Sequence, residues 1–241
     1  MEDLHIENID IPIKSDNINL KGSIYYSLNT PSKGIWIVNL AGMMDHRESY
    51  FVKLYTEKFA KAGYYVLSYD YRGHGETAKQ TGKNVLKMIS EIFSDFNEVI
   101  AWIIENQSHR LLDEKIALFG RSWGGAIILT RGFMDQRAKV LISLCARYDY
   151  HTVGSIKFPE DIVEKVSPRY FLRKDPKNNE RILIAHCRDD PRIPFHNFES
   201  IKEQLGLSEE NVIVFDTGGH SFKDHRDEIF EKSIEFLKKH I

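Results

Sequence analysis

Lys115-Ile116-Ala117-Leu118-Phe119-Gly120-Arg121-Ser122-Trp123-Gly124-Gly125-Ala126-Ile127-Ile128-Leu129 reads as a strand, a turn and a helix in immediate succession. Residues 115–119 form a short apolar run of strand type, and residues 126–129 begin a helix-compatible segment. Between them stands Gly-x-Ser-x-Gly, the pattern of a turn so sharp that side chains at Gly120 and Gly124 would collide where strand meets helix. Such a turn holds Ser122 in a strained backbone and lifts its hydroxyl above the sheet. A glycine-rich connection without chemistry would use the same residues, so the flanking strand and helix give the motif its value.

Working outward, apolar runs rich in β-branched and aromatic residues alternate with segments of period near 3.6. That alternation predicts the α/β class, a mostly parallel central sheet with helices on both faces. Residues 18–28 read as an antiparallel edge strand, 29–34 as a turn around Pro31, and 35–40 as the first buried strand. A helix is expected over 48–62, ended by Gly63, and a strand over 64–69 delivers Asp70 to its C-terminal end. Ile89, Ile92, Phe93, Phe96, Val99, Ile100, Ile103 and Ile104 mark a long amphipathic helix over 88–106 whose apolar stripe is core. Further strands are expected at 140–145, 181–186 and 211–215, with helices after Ser122, over 198–205 and from 223 onward. Residues 146–180 break the pattern with Pro159, Pro168 and Pro176, which predicts a small lid inserted into a single domain spanning 1–241.

The 241 residues carry 33 Lys plus Arg against 35 Asp plus Glu, a formal charge of -2 without the basic excess that nucleic-acid binding needs. No apolar run reaches membrane-spanning length. Residues 1–13 carry Glu2, Asp3, Glu7 and Asp10, unlike a signal peptide, and the two cysteines, Cys145 and Cys187, both fall in strand-like runs. Reduced, buried thiols and a cytoplasmic location are the expectation. The histidines and carboxylates show no spacing typical of a zinc site.

A serine nucleophile needs a neutral imidazole within reach and a carboxylate to fix its tautomer. With the order serine, acid, histidine, the base should follow the last strand, and His220 in Thr217-Gly218-Gly219-His220-Ser221-Phe222 does so. His225 among Lys223, Asp224, Arg226 and Asp227 reads as a surface residue, and His186 as a packing or loop-bonding one. The acid is expected after the penultimate strand, in Arg188-Asp189-Asp190-Pro191-Arg192-Ile193-Pro194. Asp190, held by the prolines, is favoured over Asp189, which suits a turn, with Asp149 a third candidate.

Gly120 to Gly124, Asp190-Pro191 with Ile193-Pro194, and Gly219-His220-Ser221-Phe222 together resemble the α/β-hydrolase superfamily over nearly the whole chain. Asp70-Tyr71-Arg72-Gly73-His74-Gly75-Glu76 is similar to a structural loop near the site in many members, which makes Arg72 and His74 supporting residues. The short insertion resembles compact carboxylesterases of the cinnamoyl or feruloyl kind, monoacylglycerol lipases and acyl thioesterases. The resemblance implies a serine hydrolase that cleaves a small-molecule ester or thioester through an acyl-enzyme, without metal or organic cofactor. A peptidase or amidase of the same fold, or an idle ligand-binding module, are the alternatives. Where members carry His-Gly-x after the first buried strand, this chain has Ala41-Gly42-Met43, so the resemblance assigns the oxyanion donors to the backbone amides of Met43 and Trp123. Asp45 in Asp45-His46-Arg47-Glu48 reads as a helix cap. Tyr148, Tyr150, Ile156, Phe158, Val163, Tyr170 and Phe171 of the lid are expected to line an apolar pocket, with Phe158 and Tyr170 as substrate contacts.

Overall fold

The computed structural model describes residues 4–241; Met1, Glu2 and Asp3, the start of the stretch read as unlike a signal peptide, lie outside the described residues. The strands are β1 (Leu4–Ile13), β2 (Ile18–Ser27), β3 (Gly34–Leu40), β4 (Tyr65–Tyr69), β5 (Leu111–Arg121), β6 (Ala138–Leu144), β7 (Thr152–Val153), β8 (Ile156–Lys157), β9 (Ile182–Cys187) and β10 (Val212–Phe215). Eight of them form one sheet in the order β1-β2-β4-β3-β5-β6-β9-β10, and β7 and β8 pair separately as a hairpin. From β4 to β10 every pairing is parallel, whereas β2 runs antiparallel to both β1 and β4. This is the expected α/β architecture.

Parallel neighbours require crossovers, and these, together with a C-terminal helix after the last strand, supply the covering helices. They are α1 (Tyr50–Lys61), α2 (Ala78–Thr81), α3 (Ile89–Asn106), α4 (Trp123–Ile127), α5 (Glu160–Val166), α6 (Asn178–Arg181), α7 (His196–Leu205) and α8 (Arg226–His240). On one face Phe51, Tyr55 and Phe59 of α1 and Ile229, Phe236 and Leu237 of α8 pack on Ile37, Phe119 and Ile142. On the other face the α3 stripe, Ala126 and Ile127 of α4, and Phe198 and Ile201 of α7 pack on Val38, Leu118 and Leu141. Alternate residues of one strand thus feed two cores, which is why these strands read as continuous apolar runs.

The strand read as an edge is not one. β2 is flanked by β1, whose ten residues pair with it from Leu4↔Ser27 to Ile13↔Ile18. Its apolar alternation changes phase between Ile6 and Ile9, leaving Ile6 exposed while Ile11 and Ile13 are buried. That shift and Pro12, a residue suited to a strand with one unpaired side, hide β1 from a reading by periodicity. Residues 145–181, between β6 and β9, contain the β7–β8 hairpin, α5 and α6, and α5 packs against α3.

Candidate active site

The turn between β5 and α4 has the strain its sequence calls for. Ser122 sits at φ 59° and ψ -114°. A Cβ on Gly124 would lie 2.2 Å from the Leu40 carbonyl oxygen, and one on Gly120 would lie 2.9 Å from the same atom. The glycines are therefore required by the end of β3 beside them as much as by the helix behind. The Ser122 amide donates to the Leu144 carbonyl at 2.8 Å, tying the turn to β6. Trp123 opens α4, so its N–H is among the first-turn donors that have no carbonyl four residues back.

Asp190 and His220, read as acid and base, come together at the C-terminal ends of β9 and β10. His220 Nδ1 lies 2.7 Å from Asp190 Oδ2, with both residues buried. Asp190 Oδ1 accepts from the amides of Arg192 at 2.8 Å and Ile193 at 3.0 Å. Burial alone would raise this carboxyl, but the His220 hydrogen bond and charge and the two amides outweigh it and hold it down at about 2. With Nδ1 engaged, Nε2 is the remaining ring nitrogen of His220, and Ser122 and His220 both line one cavity of about 350 Å³.

The competing residues have other work. Asp189 accepts from the amides of Gly218 and Gly219, tying the acid loop to the histidine loop. Asp149 pairs with His151 and Arg169. His186 is buried against Phe195 and Phe198, and its Nε2 bonds the Ile193 carbonyl at 2.9 Å. His225 stacks on Phe215 with ring centroids 4.0 Å apart, closer packing than a solvated surface role implies.

Residues that sequence reasoning passed over complete the surroundings. Arg121, the unspecified residue of the Gly-x-Ser-x-Gly pattern, donates to Asp45 Oδ2 at 2.6 Å and to Ser221 Oγ at 2.7 Å. It clamps the loops after β3 and β10 to the end of β5. This overturns the reading of Asp45 as a helix cap: the residue before α1 is Ser49, and the Asp45 carboxylate faces a guanidinium instead. His74, from the loop after β4, reaches the loop that follows Ala41-Gly42-Met43. Its Nδ1 bonds the Arg72 carbonyl at 2.8 Å, which leaves Nε2 to accept from the Met44 amide at 3.2 Å. Burial lowers its pKa and keeps it in the neutral form this pattern requires. No periodicity announces such a contact.

Gly42, Met43, Asp45, Arg121, Trp123, Arg147, Tyr150, Val153, Arg192 and Ile193 complete the cavity lining. Of residues 146–180, Arg147, Tyr150 and Val153 are in it, while Phe158 and Tyr170 are not. Tyr170 instead donates its hydroxyl to Glu160 at 3.0 Å, and Phe158 packs at the margin of the core. Phe158 and Tyr170, expected as substrate contacts, thus lie outside the cavity that Ser122 lines, whereas Tyr150, also expected in the pocket wall, lines it together with Val153.

Donor atoms of Cys145, Asp190 and His220 all lie within 4.8 Å of one another. As a metal site the set is poorly suited, since Asp190 and His220 already bind each other. Burial and then the Asp190 charge push the Cys145 thiol well above its ordinary value, whereas a metal would need the thiolate. Cys145 and Cys187 are both free and buried.

The profile of the family described as "Serine aminopeptidase, S33" matches residues 31–201, well over half of the chain. Among curated proteins, protein phosphatase methylesterase 1 of Kluyveromyces lactis is 25% identical over 176 residues, covering 68% of this chain and 42% of that one. The chain spans about a third, 32%, of the length of the first curated relatives it matches. Among solved structures, Est1E of Butyrivibrio proteoclasticus with ferulic acid bound superposes with TM-score 0.77 at 18% identity, covering 96% of this chain and 98% of that chain. An acylaminoacyl peptidase of Pyrococcus horikoshii superposes at 0.78 and 19% identity, covering all of this chain (100%) and 42% of that one. At these identities the structural likenesses establish the fold.

Proposed function

The chain belongs to the serine aminopeptidase, S33, family of α/β hydrolases, and from that premise we propose that it hydrolyses small carboxylic esters or thioesters through an acyl-enzyme on Ser122. The observation that carries the reading is the 2.7 Å bond from Asp190 to His220 in the cavity that strained Ser122 also lines. In this reading Ser122 Oγ attacks the acyl carbonyl while His220 Nε2 takes its proton. Asp190 keeps the proton on Nδ1 in place and stabilises the imidazolium. The amides of Met43 and Trp123 bind the developing oxyanion, and His220 returns the proton to the leaving oxygen or sulfur. Water, deprotonated by the same imidazole, then releases the acid.

Cleavage from a free amino terminus fits less well. A substrate ammonium needs a carboxylate partner, and among the described residues the lining offers Asp45, which is already paired with Arg121. Curated relatives support ester chemistry to the extent that one is named a methylesterase. The test is labelling by a fluorophosphonate, followed by a panel of ester, thioester and peptide substrates. Labelling should be lost in Ser122→Ala, and ester or thioester turnover should exceed peptide cleavage; an unlabelled Ser122, or peptide turnover alone, overturns the reading.

A further inference from the structure

Three arginines line the cavity over Ser122, and they differ in what they are bonded to. Arg121 is occupied by Asp45 and Ser221. Arg147 and Arg192 form no ion pair with a carboxylate among the described residues, whereas Arg121, the third arginine of the lining, does. Arg147 donates to the Arg192 carbonyl at 3.1 Å, which holds its head against the loop that carries Asp190. Arg192 lies two residues after Asp190, and its own amide is engaged by that carboxylate. The backbone of this corner is therefore fixed by the acid, while two arginines without a carboxylate partner line the cleft. Beside them Tyr150, Val153, Ile193 and Trp123 supply apolar surface.

We propose that the cleft selects substrates bearing an anionic oxygen group, a carboxylate or a phosphate, held by Arg147 and Arg192 while the apolar wall takes the carbon skeleton. The inference rests on the reading of this cleft as the substrate site. A guanidinium offers planar paired donors that match such groups, and its charge-assisted hydrogen bonds strengthen in a partly enclosed site. At about 350 Å³ the cavity suits a small acid or its monoester.

Binding is read without turnover by following tryptophan fluorescence of the Ser122→Ala protein with benzoate, phenyl phosphate and benzamide. At least one anion should bind about tenfold or more tightly than benzamide, and the tighter of the two identifies the group. The margin should shrink in Arg192→Gln, collapse in Arg147→Gln with Arg192→Gln, survive in part in Arg192→Lys, and narrow at high salt. In the Ser122-containing protein the same preference should appear in kcat/KM for mono-para-nitrophenyl glutarate over para-nitrophenyl pentanoate if the anion lies on the acyl side. Benzamide binding as tightly as both anions overturns the proposal, as does an anion margin untouched by the Arg192→Gln exchange, whose exposed side chain leaves folding intact. Anion preference without ester turnover would remove the hydrolase reading alone; turnover of neutral esters without anion preference would remove this inference alone.

Discussion

Asp189 and Asp190 are identical in chemistry and adjacent in sequence, yet their surroundings assign them different tasks. Asp190 reaches His220, so Asp190→Asn should lower kcat on an activated ester by a factor on the order of 10³ to 10⁴, by favouring the wrong imidazole tautomer. Asp189→Asn removes charge from a pair of backbone contacts and should cost about tenfold or less, with a stability loss of about 1 kcal/mol. The reverse ranking would move the acid role to Asp189. The lowered Asp190 carboxyl also has a consequence for acid stability: its contribution is full above the ordinary carboxylate range and is lost as pH falls towards about 2. His74 acts one bond further out. His74→Ala should lower kcat between roughly tenfold and a hundredfold with little change in KM, because the Met44 amide it holds adjoins the expected oxyanion donor. His74→Gln, which keeps an acceptor, should recover part of the loss; equal loss in both variants would reduce the residue to packing. Burial raises the Cys145 thiol well above normal and the Cys187 thiol to about 12, so iodoacetamide should modify neither until the protein is unfolded.

At the scale of elements, the segment between β6 and β9 is where sequence reasoning and structure part in detail. The hairpin of β7 and β8 is held at its base by His151, which bonds Asp149 on one side and Glu160 of α5 on the other. The Asp149 hydrogen bond, opposed by desolvation and aided by Glu160, raises the His151 pKa above its ordinary 6.5. A raised value in the folded state means that the contact stabilises the segment fully below the unfolded pKa and is lost as pH rises through the folded one. An NMR titration of the His151 ring should give a midpoint above 6.5, with faster proteolysis of the hairpin on the alkaline side; a midpoint at or below 6.5 would contradict it. The same segment contributes Tyr150 and Val153 to the cavity wall, which makes it the place to test for specificity. Tyr150→Ala or Val153→Ala should change the ratio of kcat/KM for short and long acyl esters, while Phe158→Ala and Tyr170→Ala should chiefly lower stability. An unchanged ratio in all four would take the segment out of substrate selection.

For the molecule as a whole, the antiparallel part of the sheet, the α3 layer and the loop after β4 meet at one buried ion pair. Arg72 donates from Nε to Asp95 Oδ2 at 2.7 Å and from a terminal nitrogen to Oδ1 at 2.8 Å, and it also pairs with Asp16 between β1 and β2. Removing one partner leaves an uncompensated buried charge, so Arg72→Met should destabilise the fold by about 3 to 5 kcal/mol in urea titration. Arg72→Met combined with Asp95→Leu should recover much of that loss. A single variant within about 0.5 kcal/mol of the parent would show that the pair is not a tether.

The sequence by itself determined the α/β class, a mostly parallel sheet and the sharp turn at Ser122, and it favoured Asp190 over Asp189 as the partner of His220 without excluding the latter. All of these rest on local signals: strand-length apolar runs, a 3.6-residue stripe, glycines forced by a tight turn, and chain order. Only the tertiary structure decided that β1 rather than β2 is the edge, since its apolar phase slips before Pro12. It alone turned Asp45 towards Arg121, set His74 under the Met44 amide and left Phe158 and Tyr170 out of the cavity that Tyr150 and Val153 line. The physical reason is common to these cases. A hydrogen bond between residues 30 to 76 positions apart depends on which strand ends the sheet brings side by side, and no spacing within one segment encodes that.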